Sequence, residues 1–354
     1  MFARLYSYLF EKVLFRRQIE KFYLVFGGHI FFQTLRTAVR LKLFDLLKEN
    51  GSLQLNEIAT KLNLQHQPAR ILLLGLTSLG FVKKRGSEFS NSYLANMLFV
   101  HSSPQRLVAY IELQHRVMYK GLFWFLESVK ENSNVGLKEI PGTEATLYER
   151  LSHDPELEKI FQDAMQELSL HANEELSKNL KLKGVQKLVD VGGGDGTNAI
   201  ALARRWPDLK TVVFDSSTVC SIADRNIKEQ KMVGQVSTSV GHAFLTPFPE
   251  GIDALMFCHF FTIWGESKGK ELLRKCYSAL PKGGKVILFN MIQNDDECGP
   301  LSAAVGSPYF LGIATGLGML YTAKEYRAWF TEAGFHSVEH TKLAHDHGII
   351  VGTK

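Results

Sequence analysis

Hydrophobic positions divide this chain into a helical first half and an alternating second half. Apolar residues recur every three or four positions before residue 185, as at Phe31, Leu35 and Val39, which predicts amphipathic helices. Beyond that point short β-branched runs alternate with helical patterns. Strands are predicted near 187–191, 211–215, 235–239, 253–258, 285–290, 336–343 and 347–353. This alternation predicts an α/β fold with a doubly wound, mostly parallel, Rossmann-like sheet.

Residues 55–90 follow the pattern of a winged helix-turn-helix. Two helical stretches surround a turn at 65–68, and two short strands near 81–82 and 88–90 are joined by a basic loop. A DNA-reading helix would begin with polar, base-contacting side chains. The second helix here is almost entirely apolar, with Ile71, Leu72, Leu73, Leu74 and Leu76. It is therefore predicted to be buried in protein, although a DNA-binding regulator stays an alternative hypothesis.

Three regions follow from these patterns. Residues 1–104 are predicted to form a helical, winged-helix dimerisation domain, 105–184 a helical linker that lines a substrate pocket, and 185–354 a nucleotide-binding domain. An aromatic helix within residues 2–10 is interpreted as a subunit contact in preference to a membrane-surface helix.

Composition excludes several classes of protein. A net charge of +5 over 354 residues is too small and too scattered to indicate nucleic-acid binding. Signal-peptide and membrane-spanning patterns are absent, so a cytoplasmic protein is expected. The four cysteines lack metal-binding spacing, and the histidines at 340, 345 and 347 indicate a turn, so no metal site is predicted.

The strongest chemical signal is the motif Asp-x-Gly-x-Gly-x-Gly, which follows the first strand of the second half. It contains Asp190, Gly192, Gly194 and Gly196, and a second acid, Asp215, ends the next strand. Glycines allow the backbone to turn sharply beside a ligand, and the second acid is placed to bind a ribose diol. An acid at the strand tip repels a pyrophosphate but suits a ligand that carries an amino group. S-Adenosyl-L-methionine is therefore favoured over a dinucleotide or a turn without a ligand.

The chain resembles the class I S-adenosylmethionine-dependent small-molecule methyltransferases with an N-terminal dimerisation domain, the family of plant caffeate-type and bacterial polyketide O-methyltransferases. The resemblance covers nearly everything after residue 25, and it implies a homodimer. It rests on the winged-helix segment, Asp154-Pro-Glu with Phe161 and Met165, the glycine motif, Asp215, Trp264, Leu280-Pro-Lys-Gly-Gly-Lys, and Tyr326 to Phe335.

The resemblance implies a set of cofactor contacts. Gly192 and Gly194 would lie beside the methionine part and Asp215 beside the ribose hydroxyls. His242 stands where the family often has an acid near the adenine. The complete predicted cofactor set is Asp190, Gly192, Gly194, Asp215, His242, Ala243, Phe244, Cys258 and Trp264.

The positions of the family's catalytic groups differ in this chain. Where the family carries a general-base histidine, this sequence has Thr262. The two supporting carboxylates are replaced by Asn290 and Leu320. His259, which lies near the end of the preceding strand, is the candidate base, or else a hydrogen-bonded residue of the cofactor pocket.

The acceptor pocket is predicted to be largely aromatic. Its candidate residues are His115, Tyr119, Met165, Thr262, Asn290, Tyr309 and Tyr321. The stretch from Gly306 to Gly318, rich in glycine and alanine, is either a helix at a subunit contact or a flap.

The predicted activity is methyl transfer to oxygen or carbon of a small, aromatic metabolite, as in natural-product biosynthesis. The altered base positions also leave a second hypothesis: a protein that binds S-adenosylmethionine without methylating. Such a protein would act as a sensor or support decarboxylation or hydroxylation.

Overall fold

A computed structural model describes residues 16–354, so the predicted aromatic helix at residues 2–10 lies outside the described part. The chain forms two compact units, which divide after Ile111. No helix between residues 16 and 354 combines the length and apolar character needed to cross a bilayer.

The first unit is a set of helices with a small antiparallel sheet. Ser92 begins α6, because its side chain accepts a hydrogen bond from the backbone N–H of Ala95. The three strands are ordered β1-β3-β2, which forms the wing expected from the sequence. Its elements are α1 (Arg16–Phe26), α2 (Gly28–Arg40), α3 (Leu43–Asn50), β1 (Leu53–Gln54), α4 (Leu55–Lys61), α5 (His66–Ser78), β2 (Val82–Arg85), β3 (Glu88–Asn91) and α6 (Tyr93–Leu98).

Two details of this unit correct the sequence prediction. Helix α5 buries Leu72, Leu73 and Leu76, but Ile71 and Leu74 are 61% and 65% exposed. The helical repeat places those two on the opposite face, which a run of apolar letters conceals. The three basic residues after Phe81 are part of strand β2 and are exposed; they do not form the loop of the wing.

The second unit begins with short helical segments that precede a long helix. Asp154 caps that helix through the backbone N–H of Leu157, and Pro155 occupies its first position. The segment 131–143 contains a short 3₁₀-helix, Val135–Glu139. The other segments are α7 (Val108–Leu113), in which the boundary between the units falls, a π-helical turn (Gln114–Met118), α8 (Tyr119–Gly121), α9 (Phe125–Glu131), α10 (Leu147–Arg150) and α11 (Pro155–Asn179).

A seven-stranded sheet organises the rest of the second unit. Its order is β6-β5-β4-β7-β8-β10-β9, in which only the pairings of β10 are antiparallel. The strands are β4 (Lys187–Val191), β5 (Lys210–Asp215), β6 (Val236–Val240), β7 (Ala254–Cys258), β8 (Lys285–Met291), β9 (Ser337–Lys342) and β10 (His347–Thr353). The helices are α12 (Thr197–Arg205), α13 (Ser217–Glu229), α14 (Glu266–Ala279), α15 (Leu301–Tyr309) and α16 (Ala323–Glu332).

Apolar residues cover both faces of the centre of this sheet, so strands β4, β5, β7 and β8 are largely apolar, whereas the edge strands β6 and β9 are mostly polar. Strand order reverses between β4 and β7, since β5 lies on one side of β4 and β7 on the other. Ligands of such folds bind beyond the carboxyl ends of the strands at this reversal. Those ends carry Asp190, Asp215 and Cys258.

The glycine-rich stretch from Gly306 to Gly318 packs inside its own unit. Helix α15 continues as a π-helical turn, Phe310–Ala314, and the following loop lies on residues 262–264. Thr315 Oγ1 donates a hydrogen bond to the carbonyl of Ile263 at 2.5 Å. A Cβ at Gly318 would come within 2.1 Å of the Thr262 carbonyl oxygen, so only glycine allows this approach.

Candidate functional site

The glycine turn (residues 192–196) connects β4 to α12 at the point where strand order reverses. Gly192, Gly194 and Gly196 all have positive φ, at 70°, 59° and 81°, which side chains rarely adopt. The backbone N–H of Gly194 donates to Asp215 Oδ2 at 3.1 Å. The turn and the end of β5 are therefore joined directly, and the two predicted acids lie at one site.

Asp190 is the buried acid of this site. Its side chain is 0% exposed, and neither carboxylate oxygen has a hydrogen-bond partner in the described part of the chain. Burial, followed by the nearby charges of Asp215 and Asp195, raises the pKa of Asp190 to about 7. An unpartnered carboxylate beside an open glycine turn fits a ligand that carries a cationic group.

Unlike Asp190, Asp215 accepts hydrogen bonds from backbone N–H groups. Its Oδ1 accepts a hydrogen bond from the N–H of Ser216 at 2.7 Å, in addition to the bond from Gly194. Burial raises the pKa of Asp215, and these two donors act against that rise. The carboxylate is thus fixed in orientation at the end of β5, where a ribose diol could donate to it.

The loop after β6 forms one wall of the site. The backbone N–H of Phe244 donates to Nδ1 of His242 at 3.3 Å, and the Phe244 ring meets the Trp264 ring edge to face at 4.9 Å. Lys275 secures the loop by donating to the carbonyls of Ala243 and Thr246 at 2.6 Å each. Sequence reasoning missed Lys275, whose helix lies some thirty residues further along the chain.

The end of β7 turns sharply at His259. This residue has a φ of +53° and donates its backbone N–H to the carbonyl of Phe289. Its ring lies 5.4 Å from the Phe289 ring and 5.2 Å from the His347 ring, and its Nε2 is buried without a partner. Burial and the neighbouring His347 lower the pKa of His259 to about 3. The imidazole is therefore neutral near pH 7 and a weak base.

The turn at His259 also directs Phe260 towards the glycine turn. A Cβ on Gly192 would meet the Phe260 ring at 2.5 Å, so the ring lies directly against this glycine. Cys258, just before the turn, is partly buried, and burial together with the charge of Asp190 raises the pKa of its thiol. The sequence contained no signal for the contact with Phe260, since it depends on the positive φ of His259.

The three positions at which the resemblance predicts a base and two acids are buried and uncharged. Thr262 is 2% exposed and donates its hydroxyl to the His259 carbonyl at 3.3 Å, and Leu320 is buried. Asn290 is 0% exposed, and neither its Oδ1 nor its Nδ2 has a partner in the described chain.

Tyr321, a predicted acceptor residue, donates its hydroxyl to the Trp264 carbonyl at 2.9 Å, and burial raises the pKa of Tyr321.

The predicted acceptor residues outside the sheet lie in the helical part of the unit. His115 and Tyr119 are neighbours, with ring centroids 6.2 Å apart, and His115 lies in the π-helical turn. Tyr309 donates its hydroxyl to that of Tyr148 at 3.4 Å, and Tyr148 packs edge to face on Phe161. Met165 lies one helical turn beyond Phe161 on α11. Tyr148 was not among the predicted site residues.

Residues 16–354 contain no group of three His, Cys, Asp or Glu side chains arranged to hold a metal ion. The three C-terminal histidines lie in different elements: His340 is in β9, His345 is in the turn and His347 begins β10.

Comparison with known proteins gives consistent matches over most of the chain. The family model of the O-methyltransferase domain matches residues 125–336, and that of the O-methyltransferase dimerisation domain matches residues 23–101. An L-tyrosine C(3)-methyltransferase of Streptomyces lavendulae is 34% identical over 336 residues, which is 94% of this chain and 92% of that protein. A 3-hydroxy-5-methyl-1-naphthoate 3-O-methyltransferase of Streptomyces sahachiroi is 31% identical over 91% of both chains.

Solved structures agree with these relatives. The apo form of the S-adenosylmethionine-dependent methyltransferase SibL superposes with a TM-score of 0.81 at 34% identity, covering 94% of this chain and 98% of that one. Human N-acetylserotonin methyltransferase, in complex with its cofactor, shares the fold with a TM-score of 0.85 at 23% identity, covering 95% and 97%.

Proposed function

Since this chain belongs to the O-methyltransferase family and is an S-adenosyl-L-methionine-dependent methyltransferase of small metabolites, we propose that its methyl acceptor is a ring carbon beside a phenolic hydroxyl. The proposal depends on the residues at the three positions where the resemblance predicts the catalytic base and its two supporting acids. Thr262 is closed and hydrogen-bonded, Leu320 is apolar and Asn290 is a neutral amide. Within the described part of the chain, these three positions supply no strong base for a phenolic proton.

Bound S-adenosyl-L-methionine supplies an electrophilic methyl group on a sulfonium. The residues that would hold it are Asp190, Gly192, Gly194 and Asp215, with the wall formed by His242, Ala243, Phe244 and Trp264. The open, positive-φ turn and the unpartnered Asp190 carboxylate fit this ligand. Trp264 Nε1, buried without a partner, offers a further donor at this wall.

Attack from oxygen and attack from carbon place different demands on the protein. A reacting hydroxyl oxygen needs a base at its proton while it faces the methyl group. A reacting ring carbon leaves the hydroxyl one bond away, free to donate to a neutral acceptor such as Asn290 Oδ1. That hydrogen bond raises electron density on the adjacent ring carbon. A carbon–carbon bond forms as the methyl–sulfur bond breaks, and the ring proton then leaves to water.

In this proposal the aromatic side chains among the predicted acceptor residues hold the ring in line with the methyl group. Holding two reactants in line contributes roughly 7–11 kcal/mol in favourable cases. The name of the 34% identical relative, an L-tyrosine C(3)-methyltransferase, supports a hydroxylated aromatic amino acid as the acceptor class. The 31% identical relative is named as an O-methyltransferase and defines the competing outcome.

Ring deuteration separates the two outcomes. We expect L-tyrosine or a related hydroxylated aromatic acid, deuterated at the ring carbons beside the hydroxyl, to gain one methyl group and lose one deuterium. Mass spectrometry of the product measures both changes at once. Enzyme-free incubation with the cofactor corrects for spontaneous exchange. A methylated product that keeps every deuterium would place the methyl group on a heteroatom and refute the carbon proposal.

The first unit supports a homodimer. Apolar side chains on α1, α2 and α5 are more than half exposed, which is unusual for a monomeric surface. They are Phe22, Tyr23, Leu24, Val25, Phe26, Ile30, Ile71 and Leu74. These residues lie almost wholly within the segment that matches the dimerisation-domain model.

We expect the double variant Ile71→Arg/Leu74→Arg to sediment as a monomer of 39.9 kDa, and the unchanged protein to sediment at twice that mass. Burying two unpaired guanidinium groups in an apolar contact is strongly unfavourable. Analytical ultracentrifugation gives both masses, and Lys83→Ala on the exposed wing is the control. An unchanged protein that sediments as a monomer would contradict the homodimer.

A further inference from the structure

We infer that Asp190 recognises the α-ammonium group of the cofactor and gives up a proton when the cofactor binds. The inference depends on the use of S-adenosyl-L-methionine, and it is independent of which acceptor atom is methylated. It makes Asp190 the residue that selects an amino-bearing ligand and links cofactor affinity to pH.

The surroundings of Asp190 favour the protonated carboxylic acid over the carboxylate. The residue lies in the central strand β4, paired to Val213 on one side and Met256 on the other, and its side chain is completely buried. The glycine turn folds over it, since a Cβ at Gly193 would come within 3.0 Å of the carboxyl group. Neither oxygen has a donor. A bare carboxylate in such surroundings is costly, so the protonated acid is favoured until a ligand supplies a donor.

The two neighbouring acids do not share this property. Asp215 accepts backbone N–H groups of Ser216 and Gly194. Asp195 accepts the backbone N–H and the hydroxyl of Thr197, and also the side-chain amide of Gln166. Both therefore already have hydrogen-bond donors that the protein itself supplies. Asp190 is the one acid of the three whose donor must come from a ligand.

The charges around Asp190 act in the same direction as burial. From β5 and from the glycine turn, Asp215 and Asp195 oppose its ionisation, and from β7 it faces the thiol of Cys258. Together with burial they raise its pKa to about 7. An incoming ammonium group reverses this balance, because it favours the carboxylate. Binding therefore releases a proton at and below neutral pH, and none well above pH 7.

Calorimetry measures this release directly. We expect S-adenosylhomocysteine, titrated at pH 7 into the full-length protein in buffers of different ionisation enthalpy, to release about half a proton per site, and almost none at pH 8.5. Its affinity should fall about tenfold between pH 8.5 and pH 6. The deaminated analogue, in which hydrogen replaces the amino group, should release no proton and bind with an affinity that is independent of pH.

Two isosteric variants complete the test. Asp190→Asn should bind S-adenosylhomocysteine at least tenfold more weakly at pH 8.5 and release no proton. Asp208→Asn, at an exposed acid before β5 at the opposite end of the strands, is the control and should keep the proton release of the unchanged protein. Equal proton release by both ligands, or proton release that persists in Asp190→Asn, would overturn the inference. If Asp190→Asn does not fold, the comparison of the two ligands on the unchanged protein still decides.

Discussion

Replacing Gly194 by valine is expected to lower the affinity for S-adenosylhomocysteine at least a hundredfold, which corresponds to about 2.7 kcal/mol. Gly194 has a φ of +59°, a backbone conformation that β-branched residues avoid. The space around its absent side chain is open, so the new methyl groups would project to where the cofactor would lie. The strain would also disturb the N–H of Gly194 that holds Asp215. Isothermal titration calorimetry measures the loss.

Gly283→Val is the matched control for this experiment. Gly283 also has positive φ, +81°, and open space where a Cβ would lie, but it precedes β8 at the opposite end of the strands. Both variants should lose a similar free energy of unfolding, roughly 1–3 kcal/mol, because both strain the backbone. Only Gly194→Val should lose binding. Equal affinities in the two variants would refute a cofactor site at the glycine turn.

Replacing Asn290 by leucine is expected to lower turnover about a hundredfold while leaving the free energy of unfolding unchanged or higher. A buried amide without partners costs about 1–3 kcal/mol, so an apolar side chain of similar size should remove that cost. The same change removes the hydrogen-bond acceptor that we propose for the phenolic hydroxyl. Chemical denaturation and steady-state kinetics measure the two effects separately.

Two further variants show whether this effect belongs to the acceptor. Asn290→Gln keeps the amide and should recover part of the turnover, with cofactor affinity unchanged. His259→Asn keeps a residue that tolerates positive φ but removes the ring packed on Phe289 and His347. It should therefore lower cofactor affinity and turnover together. If Asn290→Leu retains full turnover, the amide has no role in the reaction.

Strand positions were predictable because the signal is local. The β-branched runs ending at Asp190 and Asp215 were located within one or two residues, and so were the later strands. A short apolar run that is bounded by glycine or an acid is typical of a strand in a sheet buried on both faces. The long helix after Asp154 was equally visible, since its cap and first proline are adjacent in sequence.

Exposure within an element was less predictable. The run of apolar letters in α5 concealed that Ile71 and Leu74 face outward, because which face is covered depends on what packs against it. The basic residues of the wing were assigned to a loop, although they form strand β2. Strand pairing across the wing, a non-local interaction, made that difference.

The sequence by itself determined the α/β class, the family and the cofactor, because their signal is local: a strand, its glycines and the acid that ends the next strand. Only the tertiary structure decided the burial of Asp190 without a hydrogen-bond donor, the buried position of Thr262 and the absence of partners for the Asn290 amide in the described chain. Each depends on which distant segments approach, such as Gly318 against the Thr262 carbonyl. Desolvation and missing donors arise from such packing, and neither can be read along the chain.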